Sequence, residues 1–331
     1  MKTLTLLDVS DLTMYYSTTA GDVRAIDGVS FGLDTGKTLG IAGESGSGKT
    51  SIAMTLLRLL PYNGVLKRGS VRLNGVDLLG LSEDEMRKVR WKQISLIPQA
   101  SMNSLDPVFK VGDQIAEAIL VHEDVSRQEA LERAKDLLEM VGIHRDRVGS
   151  YPHEFSGGMK QRAAIAMALA LRPPLVIADE PTTALDVIVQ AEILELLMDI
   201  KKKFSMSMLM ITHDLSIISE VADDVLIMYA GKVVEKADVF SLYGNPLHPY
   251  TLGLLGAFPD IRAHRRRLVS IPGSPPDLTN LPTGCNFYPR CPYAKDRCKV
   301  EEPELREVEP GHWVACHFAE EIAASRGKQV V

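Results

Sequence analysis

IAGESGSGKTSIAMTLLRLL, residues Ile41 to Leu60, decides how the chain is read. Within it GESGSGKT, Gly43 to Thr50, fits the pattern G-x-x-x-x-G-K-[ST] at every position. The apolar residues Thr38 to Ala42 predict a buried strand before the loop, and SIAMTLLRLL predicts a buried helix that stops at Pro61. Strand, glycine loop and helix in that order are the context a phosphate-binding loop requires. Its glycines let backbone N–H groups turn inward around an anion, and the positive end of the helix macrodipole adds to the pull. Lys49 then reaches the β- and γ-phosphates of a nucleotide, and the Thr50 hydroxyl is placed to ligate Mg²⁺. A flexible Gly/Ser turn has the same composition, and only the flanking strand and helix argue against it.

A phosphate loop needs an acidic partner for its metal. LVIADEP, Leu175 to Pro181, supplies one, because four apolar residues put Asp179 at the end of a buried strand, with Glu180 next. Neighbouring side chains of a strand face opposite ways, so Glu180 can face an attacking water only if the chain turns there. An exposed acidic turn after a core strand reads the same way. FSGGM, Phe155 to Met159, opens a second helix with a serine and two glycines, which suits either an anion site or an N-cap with a tight turn.

The rest of the chain fits an α/β architecture. LDVSDLTMYY and VRAIDGVSFGLDTGKTLGIAG read as strands, residues 112–148 as a helical insertion, 158–171 and 188–203 as helices, and 207–212 as another strand. This predicts a mainly parallel sheet with antiparallel edge strands and a helical subdomain over about 100–170. Beyond about Phe240 proline becomes frequent (NPLHPY, IPGSPPDLTNLP), so the expected division is residues 1–240 and a smaller, irregular 241–331. The 331 residues include 45% hydrophobic ones, enough for a substantial core, and a formal net charge of -6 disfavours nucleic acid as a partner. FPDIRAHRRR, residues 258–267, reads as a solvated face. No apolar run reaches the ~18 residues of a membrane span, and Asp8 and Asp11 interrupt any signal-peptide core, so a soluble chain is expected.

In chain order GESGSGKT, Gln99 in LIPQ, FSGGM, LVIADE, Ala184 to Asp186 (ALD) and His213 in ITHD resemble the ATP-binding subunit of ABC transporters over residues 5–240. SMNSLDP after Gln99, NPLHPYT, IPGSPP and the Met159 that ends the signature are similar to the dipeptide/oligopeptide importer group. The resemblance implies an ABC-type P-loop ATPase that binds ATP and Mg²⁺ in a head-to-tail dimer with a second, paralogous ATPase chain. The ATP lies between the phosphate loop of one chain and the FSGGM of the other. Gly43, Ser45, Gly46, Ser47, Gly48, Lys49, Thr50 and Ser51 then hold the phosphates, Ser156, Gly157 and Gly158 serve the site across the dimer, and Asp186 is a further nucleotide-binding residue. Thr50, Gln99 and Asp179 hold Mg²⁺, Glu180 polarises the water, and Gln99 and His213 act at the γ-phosphate. Tyr16, or its neighbour Tyr15, stacks on adenine. The chain is then peripheral on the cytoplasmic face of the cell membrane, and the partners implied are two transmembrane permease subunits and an extracytoplasmic substrate-binding protein. Peptide is the expected cargo, with oligosaccharide or nickel as alternatives; a soluble ABC ATPase of DNA repair or translation is the rival class.

All four cysteines, Cys285, Cys291, Cys298 and Cys316, lie in the last stretch as C-x5-C-x6-C-x17-C. Four clustered thiols without a secretion signal favour a metal site over disulfides. The spacing lacks the C-x2-C pairs of zinc ribbons, and some relatives carry an iron-sulfur cluster in this region. The expectation is therefore a structural [4Fe-4S] cluster, with zinc as the alternative and unligated cysteines as the plain reading.

Overall fold

The computed structural model describes residues 4–99, 104–257 and 271–327. FPDIRAHRRR and the first residues of SMNSLDP (101–103) lie outside them. The strands, in chain order, are β1 (Thr5–Thr18), β2 (Gly21–Asp34), β3 (Thr38–Ala42), β4 (Gly64–Leu73), β5 (Val76–Asp77), β6 (Ile94–Ile97), β7 (Leu175–Asp179), β8 (Ser207–Thr212), β9 (Asp224–Tyr229), β10 (Lys232–Asp238), β11 (Arg306–Glu309) and β12 (His312–Val314). The helices are α1 (Lys49–Leu56), α2 (Glu83–Val89), α3 (Val111–Leu120), α4 (Arg127–Met140), α5 (Gly157–Ala168), α6 (Val187–Phe204), α7 (Leu215–Val221), α8 (Val239–Gly244), α9 (Pro249–Gly256), α10 (Asp296–Val300) and α11 (Ala319–Gly327). These residues form two compact units. One takes in Leu33–Thr38, Leu73–Ile211 and the first residues of β1; the other takes in Leu7–Gly32, Leu39–Arg72 and Thr212 onward.

In the first unit β6, β7 and β8 run parallel, with Ile97 opposite Ala178 and Asp179 opposite Ile211. Every residue of β7 and β8 is buried, which explains their unbroken apolar sequence. The helical insertion is a packed group of α3, α4 and α5. On α4 the buried residues are Ala130, Ala134, Leu137 and Leu138, a helical stripe of i, i+4, i+7 and i+8. Ser126 caps that helix by accepting from the Glu129 N–H.

In the second unit β3 pairs parallel with β9, and β10 turns back antiparallel on β9. β1, β2 and β4 lie side by side in a separate sheet, in the order β2-β1-β4. The helix after the phosphate loop is shorter than the expected 51–60. It ends at Leu56 because Arg58 takes a left-handed φ of 51°, with the Arg58 and Leu59 N–H groups bonded back to Thr55 O and Met54 O. This is a Schellman ending with arginine where glycine is usual, which left no breaker in the sequence to read.

Beyond residue 240 the chain is more regular than its prolines suggest. α8 and α9 follow one another, and β12 pairs antiparallel with β10, Glu235 facing Val314. The link is a buried polar cluster. The fully buried Glu235 accepts from the Leu247 N–H at 2.6 Å and the His248 N–H at 3.0 Å, and its Oε1 lies 2.7 Å from His312 Nε2. Glu235→Ala strands these donors in the core, so chemical denaturation should show a loss of about 3 kcal/mol.

His248, also buried, N-caps α9 by accepting from the Tyr250 N–H through Nδ1, while the ring also bonds the Ala315 backbone. Burial, opposed by the Glu235 charge, pushes its pKa down to about 4. The unfolded chain takes up this proton at higher pH than the folded one, so stability falls as pH drops from about 6.5 towards 4. Between pH 7 and pH 5 this histidine should remove roughly 2 kcal/mol from the unfolding free energy. Denaturant titrations of His248→Gln should show a correspondingly shallower decline.

Candidate nucleotide-binding site

The phosphate loop leaves the fully buried β3 and is shaped by two close approaches. At Gly43 (φ 153°) an added Cβ would sit 2.3 Å from Met228 O, and at Gly48 (φ 104°) 2.1 Å from Ala25 O. Neither position has room for a side chain, and both lie where glycine is favoured. Gly48 is the N-cap of α1 and offers no side chain to occupy the first-turn N–H groups. Ser45, Gly46 and Thr50 are exposed, whereas Ser47 is buried and its Oγ has no hydrogen-bond partner. The Lys49 ammonium, almost wholly buried, donates to Gly43 O at 2.8 Å and Glu44 O at 2.9 Å. Tyr16 and Ser51 meet through their hydroxyls at 3.1 Å, which puts this ring beside the start of α1. Tyr15 is engaged elsewhere: its hydroxyl donates to Asp27, and Lys67 Nζ lies over its ring.

The acidic arm is on the other unit. Asp179 ends β7 and is 3% exposed. Glu180 follows with a left-handed φ of 47°, so the chain does turn where the Asp-Glu reading requires it. Its N–H still donates to Ile211 O at 2.8 Å, and its Oε2 accepts from Gln99 Nε2 at 3.1 Å and from Thr183 Oγ1 at 3.0 Å. The structure thus brings Gln99 and Glu180 together, 81 residues apart in sequence. Ser156 N-caps α5 by accepting from the Met159 N–H, with Gly157 and Gly158 in the first turn. Asp186 N-caps α6, accepting from the Ile188 and Val189 N–H groups. His213 is exposed just past β8, on the unit that carries the phosphate loop.

Sequence reasoning passed over two supports of this arm. Thr183 helps hold the Glu180 carboxylate, and the buried Gln161 donates from Nε2 to Pro181 O, tying α5 to the turn after Glu180. A glutamine two residues after FSGGM, just before the apolar run AAIAMALAL, was the available signal. Thr50 hydroxyl, Gln99 amide and Asp179 carboxylate are hard oxygen donors of the kind Mg²⁺ takes, and a glycine cradle ending on a helix N-terminus suits a polyphosphate.

The cysteine expectation is corrected. Among the described residues no group of three or more His, Cys, Asp or Glu side chains is arranged to hold a metal ion. The four cysteines instead line a small cavity of about 20 Å³ walled by Phe287, Tyr288, Tyr293, Phe318 and Ile322. Burial pushes three of the thiols up, Cys285 and Cys316 to about 11 and Cys291 to about 12, so these three are neutral at physiological pH. They pack as small apolar residues, and neither the [4Fe-4S] nor the zinc assignment stands. Clustering in sequence reflected a shared cavity.

Fold and site together define a P-loop ATPase of the ATP-binding cassette class. Residues 26–183 match the ABC transporter family, and residues 234–298 match the oligopeptide/dipeptide transporter C-terminal region. The chain is 48% identical to the oligopeptide transport ATP-binding protein OppD of Escherichia coli (strain K12), over 94% of this chain and 92% of that protein. It is 50% identical to OppD of Bacillus subtilis (strain 168), over 93% and 87%, and 44% identical to the dipeptide transport ATP-binding protein DppD of E. coli (strain K12), over 95% and 97%. A solved post-hydrolysis dimer of the ATP-binding cassette MJ0796, bound to ADP and Pi, is 26% identical with a TM-score of 0.63, covering 70% of this chain and 98% of that one. The chain belongs to the ABC transporter family, as one of its ATP-binding subunits. It binds ATP with Mg²⁺ and is an ATPase coupled to transport. No described helix is long and apolar enough to cross a membrane.

Gly48→Ala should be the most disruptive single methyl in the loop, because it combines the left-handed φ with a clash against Ala25 O. Binding of a fluorescent ATP analogue should fall by roughly 100-fold or more while the secondary structure persists.

Proposed function

We propose that this subunit powers the import of peptides, working as a head-to-tail dimer with a second, paralogous ATPase chain on the cytoplasmic face of the membrane. Two permease subunits then form the path, and an extracytoplasmic binding protein delivers the peptide. The likeness to OppD and DppD over nearly the whole length, including the C-terminal region, supports this cargo and this set of partners. The division into a cassette to about residue 240 and an importer-type extension from 241 belongs to the same reading.

The observation that carries the catalytic assignment is the turn at Glu180 with Gln99 and Thr183 on its carboxylate. Glu180 orients the attacking water, and Gln99, within hydrogen-bond reach of it, reports whether the γ-phosphate is present. Mg²⁺ supplies charge neutralisation at the β- and γ-phosphates. Thr50, Gln99 and Asp179 are the residues to hold it. The phosphate loop, Gly43 to Ser51, holds the phosphates with Lys49. Ser156, Gly157 and Gly158 serve the nucleotide of the partner chain, Asp186 is a further nucleotide-binding residue, and His213 acts at the γ-phosphate. Tyr16 is the adenine platform, supported by its place beside Ser51, while Tyr15 is bound to Asp27.

In the assembled transporter Glu180→Gln should reduce ATP turnover by roughly 100-fold or more while ATP affinity is retained and the ATP-bound dimer accumulates. Peptide uptake should fall with it. Wild-type turnover in that variant removes Glu180 from the role, and uptake of sugars or nickel but not peptides by the intact assembly refutes the cargo.

A further inference from the structure

The phosphate loop has a side chain that the nucleotide reading leaves unused. Glu44 is the second residue of GESGSGKT, and its carboxylate stands in a loop that receives a polyanion. An uncompensated negative charge there opposes nucleotide binding. The structure gives it a partner from 246 residues away. Arg290 grips both carboxylate oxygens, Nη1 at 2.6 Å from Oε2 and Nη2 at 2.9 Å from Oε1. Arg290 is only 6% exposed, and its guanidinium is itself fixed by Nε donating to Pro272 O at 2.9 Å and Nη1 to the Tyr229 hydroxyl at 3.3 Å. A two-point guanidinium–carboxylate contact between a buried arginine and a half-buried glutamate is directional as well as strong.

The remaining handles of Glu44 are also taken. Its N–H donates to the Tyr250 hydroxyl at 2.8 Å, and its carbonyl accepts from Lys49 Nζ at 2.9 Å and from the Ser47 N–H at 3.2 Å. Tyr229, Tyr250 and Phe287 pack as one aromatic group, with ring centroids 4.7 to 5.4 Å apart, so the two extension residues that touch Glu44 share a rigid base. The same residue that is held by Arg290 and Tyr250 therefore holds the lysine that serves the phosphates.

We propose that Arg290 and Tyr250 are positioning residues for ATP binding. The C-terminal extension neutralises Glu44 and fixes the loop backbone, so nucleotide affinity depends on residues more than 200 positions beyond the loop. This rests on the phosphate-loop reading and goes beyond it, because it gives the extension a direct part in nucleotide affinity. It also predicts an order of effects that general destabilisation does not produce. Removing the cation alone leaves a bare carboxylate beside the phosphates, whereas removing both charges does not.

The test measures binding of a fluorescent ATP analogue by the full-length chain, with thermal unfolding in parallel. Arg290→Gln should weaken binding roughly tenfold, Glu44→Gln roughly two- to threefold, and the double variant should return to within about threefold of wild type. The Arg290→Gln loss should shrink at high salt. In the assembled transporter the single variant should raise KM for ATP with kcat little changed. Losses that add in the double variant, or wild-type affinity in Arg290→Gln, overturn the proposal. Should Arg290→Gln fail to fold, Tyr250→Phe keeps the ring and deletes only the acceptor of the Glu44 N–H; an expected three- to fivefold loss supports the brace, and unchanged affinity refutes it. Lys49→Ala separates the two levels: if it binds ATP as wild type does, the phosphate-loop reading itself fails.

Discussion

A buried ammonium has to be surrounded by oxygen, and Lys49 meets that constraint with the backbone carbonyls of Gly43 and Glu44. Both carbonyls point at the lysine because the loop doubles back on itself. The doubling back needs glycine at Gly43 and Gly48, where Met228 O and Ala25 O leave no space for Cβ. Those two oxygens belong to β9 and β2, so the loop is moulded by the strands packed around it. Phosphate oxygens can replace carbonyl oxygens around the ammonium at little electrostatic cost. The site therefore holds its cation in a geometry that a nucleotide can take over.

The same economy of buried charge joins the C-terminal residues to β10. Glu235, without exposure on β10, is surrounded by the Leu247 and His248 N–H groups and the His312 ring, all from beyond residue 244. Removing the extension would leave that carboxylate bare in the core, and the extension without β10 would leave its donors unmet. Arg290 and Glu44 repeat the arrangement at the phosphate loop. Two carboxylate contacts, one fully buried and one half-buried, thus fix described C-terminal residues to β10 and to the phosphate loop.

Periodicity and loop chemistry made much of the cassette readable before any coordinates. β3, β7 and β8 were readable to the residue, because strands buried on both sides write themselves as short apolar runs. What could not be read was set by contacts distant in sequence. Arg58 ends α1 in a conformation that glycine normally marks, so the helix looked longer than it is. β11 and β12 are short, β11 is mostly charged, and only the pairing of β12 with β10 and of β11 with β12 makes them strands. The cysteine spacing signalled proximity correctly but not ligation, since a shared apolar cavity gathers thiols as well as a metal does. Glu44 lay inside the best-read motif, yet nothing local distinguished it from a solvated loop carboxylate.

The acidic arm shows where strain is placed. An extended residue after Asp179 would send the Glu180 side chain to the opposite face of the sheet. The left-handed φ of Glu180 breaks that alternation, a conformation costing about 1 kcal/mol for a residue other than glycine. Four bonds hold it there. The backbone N–H stays on Ile211 O, Thr183 and Gln99 grip the carboxylate, and Gln161 fastens Pro181 just beyond. Gln161 comes from the helix that FSGGM opens, so within this unit the signature helix and the Asp-Glu turn form one braced piece. The buried hydrogen bond from Gln161 to Pro181 O therefore ties the position of that helix directly to the turn that orients Glu180.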